Sequence, residues 1–214
     1  MNRLMRCAVV VMLTLGVCGC RTVYYSMWEK LGKHKRDLLR DNIEDAQKEQ
    51  QEAGEKFQDA FTRMKELADF DGGNLEKLYG RLSGDFERCN SAAESVRSRV
   101  TDVRTVADDL FREWESEIEE ISSGELRRKS RSKLDTTRVR FEGLHRAMTA
   151  ASGRMDPVLT QFRDQVLFLK HNLNAQAVGS LKGELRGIEH DVSELLREMD
   201  KSIIEARRFI RSME

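Results

Sequence analysis

The sequence has very little proline: there is one among 214 residues. All-β sandwiches and barrels need many short strands separated by proline- and glycine-rich turns, so the composition disfavours those folds. Low-complexity tracts are also missing, and the apolar residues recur too regularly for a disordered chain. Charged residues make up 35% of the chain, against about 25% in typical soluble domains. Charge-rich helices are therefore the expected fold class.

The chain also lacks an excess of charge of either sign. Lysine plus arginine and aspartate plus glutamate number 37 each, so the formal net charge is zero. Electrostatic binding to nucleic acid or to an anionic membrane surface draws on an excess of basic residues. We therefore expect no nucleic-acid partner.

Motifs that carry catalysis are missing as well. The sequence contains no H-E-x-x-H, no G-x-S-x-G and no cysteine pair beyond residue 20. Glu142 and His145 match half of the di-iron carboxylate signature, but the second Glu-x-x-His that this signature needs does not occur. We expect no enzymatic activity, cofactor, metal or small-molecule substrate. A ferritin-like metal-binding protein is a remote alternative.

The N terminus carries an apolar run that is too short to cross a bilayer. Arg3 and Arg6 precede fourteen uncharged residues, 7–20, whereas a membrane span needs about 20 apolar residues. A basic head followed by a short apolar run is typical of a secretory signal.

This run ends in Val17-Cys18-Gly19-Cys20, which resembles the lipobox of bacterial lipoproteins. The resemblance implies a signal peptide at residues 1–19, acyl chains on Cys20 and a tether at residues 20–25. Arg21 differs from the aspartate of an inner-membrane retention signal, so we expect the periplasmic face of the outer membrane of a Gram-negative bacterium. A plain cleaved signal and a soluble periplasmic protein are the alternative.

The strongest pattern in the chain is a heptad repeat between Leu82 and Trp114. Ten apolar residues follow one another at alternating steps of four and three, with polar residues between them: Leu82, Phe86, Cys89, Ala93, Val96, Val100, Val103, Ala107, Leu110 and Trp114. Such a seam holds one side of a long helix against partner helices. We interpret Cys89 as a small core residue, with an intermolecular disulfide as the alternative.

Three further stretches carry the same periodicity, which predicts helices over residues 26–70, 75–121, 125–173 and 178–210. Breaks are expected at 71–74 and 122–124, a kink at Met155-Asp156-Pro157, and a reversal near Asn172 to Gln176. A continuous helix with local unwinding is the alternative at the last position. Matched lengths and short connections predict one all-α domain at 26–214: an elongated antiparallel four-helix bundle built from coiled-coil hairpins.

Opposite charges gather on the two sides of the break at 122–124. Five glutamates precede it (Glu113, Glu115, Glu117, Glu119 and Glu120), and five basic residues follow it (Arg127, Arg128, Lys129, Arg131 and Lys133). In an antiparallel hairpin the two clusters face each other, and we expect them to set the register of the two helices. A docking patch for a partner is the alternative.

Residues 164–177 form an amide-rich, charge-poor segment around the predicted reversal. Its polar members are Asp164, Gln165, Lys170, His171, Asn172, Asn174 and Gln176. We take these, with Arg127, Arg128, Lys129 and Arg131, as candidate interaction surfaces. The segment is alternatively only what the turn requires.

Several motifs of the chain resemble those of one protein family. They are Tyr24-Tyr25-Ser26-x-Trp28-Glu29-Lys30-Leu31-Gly32, Phe70-Asp71-Gly72-Gly73-Asn74-Leu75, Asp156-Pro157-Val158-Leu159, and residues 164–177. The family is an uncharacterised proteobacterial lipoprotein family, domain of unknown function 2959. The resemblance covers essentially the whole chain that follows the signal peptide, supports the envelope location and the helical fold, and implies no catalytic residue.

These observations predict a lipid-anchored structural or interaction protein. It would offer helical surfaces to an envelope partner or to a second copy of itself. The alternative is a membrane-surface remodelling protein that lays a basic face, residues 127–133 with Arg138 and Arg140, on lipid.

Overall fold

The computed structural model describes residues 34–68, 75–172 and 175–213, and within these ranges the chain is all-α. Its helices are α1 (Lys35–Ala68), α2 (Leu75–Glu120), α3 (Gly124–Gly153), α4 (Met155–His171) and α5 (Ala175–Met213). Only Arg154 separates α3 from α4, and its backbone stays right-handed helical at φ −72° and ψ −14°. The two helices therefore form one arm of the fold.

The four arms pack as an antiparallel bundle, because early residues of each arm meet late residues of its neighbours. Lys35 contacts Glu113 and Arg63 contacts Asp85 between α1 and α2. Arg104 contacts Glu142 between α2 and α3, and Gln161 contacts Asp191 between α4 and α5. The ring closes where Ser202 of α5 meets Gln50 of α1. The predicted four-helix bundle is confirmed.

The predicted seam of α2 forms part of the bundle's core. Seven of its ten positions are buried, and Phe86, Leu110 and Trp114 are partly buried against the same core. Cys89 is free and fully buried, as expected of a small core residue. Aromatic rings from three arms meet where Phe141 makes edge contacts with Phe111 and Phe209, at centroid distances of 5.6 and 5.8 Å.

Helix boundaries agree with the sequence at α2 and differ in detail elsewhere. The interruption in the third arm lies at Arg154 rather than at residues 155–157. Pro157 has no N–H to donate to the carbonyl of Gly153, and a proline ring crowds the carbonyl four residues before it, so the helix is disturbed at Gly153 and Arg154. The expected start of the first helix and the break at 71–74 lie outside the described residues.

The reversal before α5 is shorter than expected. α4 ends at His171, and Asn172 leaves the helical region at φ −134° and ψ 62°, so the alternative of a continuous helix is wrong. However, α5 begins at Ala175, three residues before the predicted start at 178. Alanine and glutamine are good helix formers, which is consistent with a helix that includes Ala175 and Gln176.

The bundle has two ends, which we call the N-terminal end and the distal end. At its N-terminal end lie His34, the α2–α3 connection at residues 121–123, and the end of α5 at Met213. At its distal end lie the end of α4 and the start of α5. The 46 residues of α2 run between these ends and at a rise of about 1.5 Å per residue cover about 69 Å.

Candidate functional site

The structure places the two candidate interaction surfaces at opposite ends of the bundle. Arg127, Arg128, Lys129 and Arg131 lie in the first turns of α3, at the N-terminal end. Asp164 to His171 lie in the last turns of α4, at the distal end. The two surfaces are therefore separated by most of the length of the rod and do not form one site.

At the N-terminal end, one ion pair joins the predicted acidic and basic clusters across the α2–α3 hairpin, and one further glutamate of α2 pairs with an arginine later in α3. Arg131 bonds Glu119, and Arg138 bonds Glu115 at 2.9 Å. The bond from Arg138 lowers the pKa of the Glu115 carboxyl, and the positive charge of Arg138 adds to the effect. Exposed pairs of this kind contribute little energy individually, so their role is to set helix register.

The chain connection at this end is held by one arginine of the same cluster. Arg127 donates from Nε and Nη2 to the carbonyl oxygen of Ile121, at 3.1 and 2.7 Å, and so satisfies a carbonyl just past the end of α2. Ser123 caps α3 by accepting a hydrogen bond from the backbone N–H of Leu126. Most of the basic cluster is therefore engaged within the hairpin.

The α2–α3 hairpin does not present a continuous cationic face. Lys129 pairs with Glu125 at 2.6 Å, and within the described part of the chain only Arg128, among the four candidate residues, has neither an ion pair nor a hydrogen bond. Of the predicted basic face, Arg128, Lys133 and Arg140 are exposed and make no ion pair within the described residues.

At the distal end, the polar candidates divide into exposed and structural residues. Asp164, Lys170 and His171 are exposed, whereas Gln165 and Asn172 are half-buried. Asn172 closes α4, because its Nδ2 donates to the carbonyl of Phe168 at 3.0 Å and its N–H to that of Leu169 at 3.2 Å. Asn174 and the side chain of Gln176 lie outside the described residues.

The distal end also exposes two large apolar residues that the sequence reasoning missed. Leu167 is 49% exposed and Phe168 is 39% exposed, next to each other on the outer side of α4. The signal was available: the seam passes through Val166 and Leu169, and a heptad turns the two residues between such positions outwards. We take this exposed pair as a further candidate interaction surface.

Glu142 and His145, the half-signature of a di-iron site, belong to a different network. Glu142 accepts from Nη1 of Arg104 at 2.6 Å, and the His145 ring stacks on Phe141 at a centroid distance of 6.0 Å. Burial lowers the pKa of His145, and the positive charge of Arg104 lowers it further. In residues 34–68, 75–172 and 175–213, no group of three or more His, Cys, Asp and Glu is arranged to hold a metal ion.

A buried acid on α2 was also missed by sequence reasoning. The Asp85 side chain is 1% exposed and is held by Arg63 of α1 and by Arg88 of its own helix. Beside it, burial raises the pKa of Cys89 to about 12, and the negative charge of Asp85 contributes. The cluster is an ion-pair network between α1 and α2, and it leaves the thiol protonated and unreactive.

A comparison with protein families gives one match over most of the chain. The model of the family described as protein of unknown function (DUF2959) matches residues 24–213. No curated protein and no solved structure matches the chain. Among the helices of the described residues, none combines the length and the apolar character needed to cross a membrane.

Proposed function

The chain belongs to the family of proteins of unknown function DUF2959, and from that premise we propose that it is a lipid-anchored interaction protein of the outer membrane. Acyl chains on Cys20 would hold it at the periplasmic face, where the bundle offers helical surfaces to an envelope partner or to a second copy. No catalytic step is part of this proposal.

The observation that carries the proposal is that the proposed anchor and the exposed apolar pair lie at opposite ends of the rod. The described chain begins at His34, only fourteen positions after Cys20, and the exposed Leu167 and Phe168 lie at the other end. A bundle anchored at its N-terminal end would hold this apolar pair about 42 Å along the rod from the point where α1 begins, because Lys35 lies beside Glu113 and Asp156 lies beside Arg97.

The chemistry of the distal end supports recognition of a protein rather than of a small molecule. Leu167 and Phe168 are flanked by the exposed side chains of Asp164, Lys170 and His171. An apolar centre with a polar rim is the common composition of protein contact surfaces, and aromatic residues there carry much of the binding energy. The surface belongs to one helix, so a helix-in-groove mode is the fitting form of recognition.

The α2–α3 hairpin is also consistent with binding to a protein partner rather than to lipid. Arg127, Lys129 and Arg131 are engaged within the hairpin, which leaves fewer basic side chains to face lipid. The partner-binding role therefore falls to the distal end and to the helix faces between the ends.

The test is site-specific photo-crosslinking in living cells. A photoreactive residue at Phe168 should capture a recurrent envelope protein or a second copy, whereas one at Arg128 should capture neither. A Cys20→Ala variant serves as the anchoring control and should release the chain from the membrane fraction. Crosslinks at Arg128 but not at Phe168, or unchanged membrane association of the Cys20 variant, would contradict the proposal.

A further inference from the structure

A groove runs along the bundle between α1 and α5, which we call the α1/α5 groove. It has a volume of about 320 Å³, and its apolar wall is formed by Gly54, Leu196, Met199 and Ile203. Gly54 permits a close approach of the two helices, since a Cβ there would lie 3.3 Å from both Leu196 Cδ2 and Met199 Sδ.

The rim of the α1/α5 groove carries acidic charge without local compensation. Glu55, Asp59 and Asp200 line it, and among the residues that the structure describes no lysine or arginine does so. Within the described ranges, Glu55 and Asp200 make no ion pair, and Asp59 has only a contact of 3.9 Å with Arg63, which binds Asp85 more closely at 2.6 Å. The groove therefore suits an occupant that is positively charged around a narrow apolar or small-residue centre.

The groove also contains a buried hydrogen-bonding group that is not satisfied. Gln50 is fully buried, and its Oε1 accepts from the Ser202 hydroxyl at 2.8 Å. Among the described residues nothing accepts from Gln50 Nε2. Leaving such a donor unpaired costs about 1–3 kcal/mol, so the packing of α1 against α5 beside the groove is not fully satisfied.

The chain itself carries a surface of the complementary kind on the outer side of α3. Val139, Gly143, Arg146, Ala150 and Gly153 follow one another at steps of four and three, which places them on one helix face, here called the α3 stripe. Val139 is 72% exposed, and a Cβ at Gly143 or at Gly153 would have no neighbour within 4 Å. The stripe is narrow and open.

The charge on this stripe is opposite to that of the groove. Arg146 lies on it, and Arg140 and Arg154 flank it, all three exposed. In the part of the chain that the structure describes, none of the three has an ion pair within 4.0 Å, unlike Arg138 and Arg131 nearby. However, the pKa of Glu198 on α5 of the same copy is lowered by its hydrogen bond from Lys201 and, to a smaller extent, by the charge of Arg154.

The groove and the stripe also lie at the same height along the rod. Phe141 meets Phe209 and Gln161 meets Asp191, so residues 146–154 run beside the stretch of α5 from about Leu196 to Ala206, by the constant rise of paired antiparallel helices. That stretch forms one wall of the groove.

We propose that the α1/α5 groove receives the α3 stripe of a second copy, with the two rods side by side and parallel. The inference rests on the proposed function, because anchoring at Cys20 is what makes neighbouring rods parallel and brings equal heights together. Arg146 and Arg154 of one copy then face Asp200, Glu55 and Asp59 of the next.

The geometry makes this contact head-to-tail. α3 packs against α2, α4 and α5, so the stripe and the groove lie on different sides of one bundle. Each copy can therefore use its groove for one neighbour and its stripe for another. Contacts of this type produce rings or open rows rather than closed dimers.

The test is disulfide crosslinking of the full chain in its own membrane, between two copies that carry different tags. One copy carries Gln51→Cys, which lines the groove at the height of Ala150, and the other carries Ala150→Cys on the stripe; Cys89 is buried and does not compete. We expect a crosslinked band with both tags, and a ladder when both cysteines are in one chain. Thr101→Cys, exposed on α2, replaces Ala150→Cys in the matched control.

Charge reversal then tests the recognition itself. Adding Asp200→Lys to the groove copy should abolish the band, and adding Arg146→Glu to the stripe copy should restore it. A band no stronger than the Thr101 control, or no effect of Asp200→Lys, would overturn the inference. If Gln51→Cys crosslinks only to another envelope protein, the inference fails and the proposed function stands. If the chain also does not fractionate with the outer membrane, both fail.

Discussion

Arg63 on α1 holds both carboxylate oxygens of Asp85 on α2, with Nε to Oδ2 at 2.7 Å and Nη2 to Oδ1 at 2.6 Å. The acid is buried, whereas the Arg63 side chain remains 40% exposed. The two partners therefore differ in what their removal leaves behind, since an arginine at the surface returns to water and a buried carboxylate does not.

This asymmetry predicts the effect of substitution. Arg63→Ala should lower the free energy of unfolding by about 2 kcal/mol, because Asp85 is left buried with Arg88 as its remaining partner. Adding Asp85→Leu should recover at least half of the loss, since the buried charge is then gone. Urea unfolding followed by circular dichroism measures both. Arg208→Ala, which removes only an exposed pair with Glu205, is the control and should cost less than about 0.5 kcal/mol.

The hydrogen bond between Ser202 and Gln50 gives a second prediction. Ser202→Ala should destabilise the bundle by about 1–3 kcal/mol, because both ends of the Gln50 amide are then buried without a partner. Gln50→Leu should cost less, since the Ser202 hydroxyl can turn to a carbonyl of its own helix. Thermal unfolding of the two variants tests the order. A larger loss in Gln50→Leu would show that the amide is better satisfied than the present contacts indicate.

The sequence was sufficient for the seam of α2 but not for Asp85. Residues from Leu82 to Trp114 follow a period that depends only on the helix itself, so the pattern predicts which side is buried. The burial of Asp85 depends on Arg63, which lies on another helix. Heptad reasoning treats an acid next to the seam as a surface residue, and only the tertiary contact identifies its partner.

The candidate surfaces were also predictable only in part. The opposite charges around residues 122–124 identified the pairing of α2 with α3, because connected antiparallel helices must face each other there. The distance between this hairpin and Phe168 was not predictable from either segment alone. It follows from the number of arms and their direction, and these place one surface at each end of the bundle.

The pKa of His145 predicts a change of stability with pH. Burial, and then the charge of Arg104, lowers the pKa in the folded protein below the ordinary value of 6.5. The unfolded chain therefore binds more protons as the pH falls below about 6.5, and the folded state loses stability over that interval. His145→Gln should reduce the slope of stability against pH between pH 7.5 and 5.5. An unchanged slope in urea unfolding at these pH values would contradict the prediction.

Cys89 should be unreactive until the bundle opens. Its thiol is buried, and its pKa is raised to about 12, so the reactive thiolate is scarce at neutral pH. Alkylation by iodoacetamide, followed by mass spectrometry, should be undetectable in buffer and complete in urea. Stability should also fall as the pH rises above 9, since the unfolded thiol then releases its proton and the folded one keeps it. Alkylation in buffer as fast as in urea would show that the α1–α2 interface opens readily.

Glycines within the helices give the last prediction, because the space around their Cα atoms differs. A Cβ at Gly183 or Gly187 of α5 would meet nothing within 4 Å, so alanine at either position should stabilise the protein by about 0.5–1 kcal/mol through its higher helix propensity. At Gly54 the same Cβ would lie 3.3 Å from Leu196 and Met199. The gain in propensity is there opposed by crowding, and Gly54→Ala should be neutral or destabilising. Thermal unfolding of the three variants tests the difference. Equal stabilisation at all three sites would mean that α1 and α5 are not in close contact beside the groove, and the wall that the groove needs for an occupant would be lost.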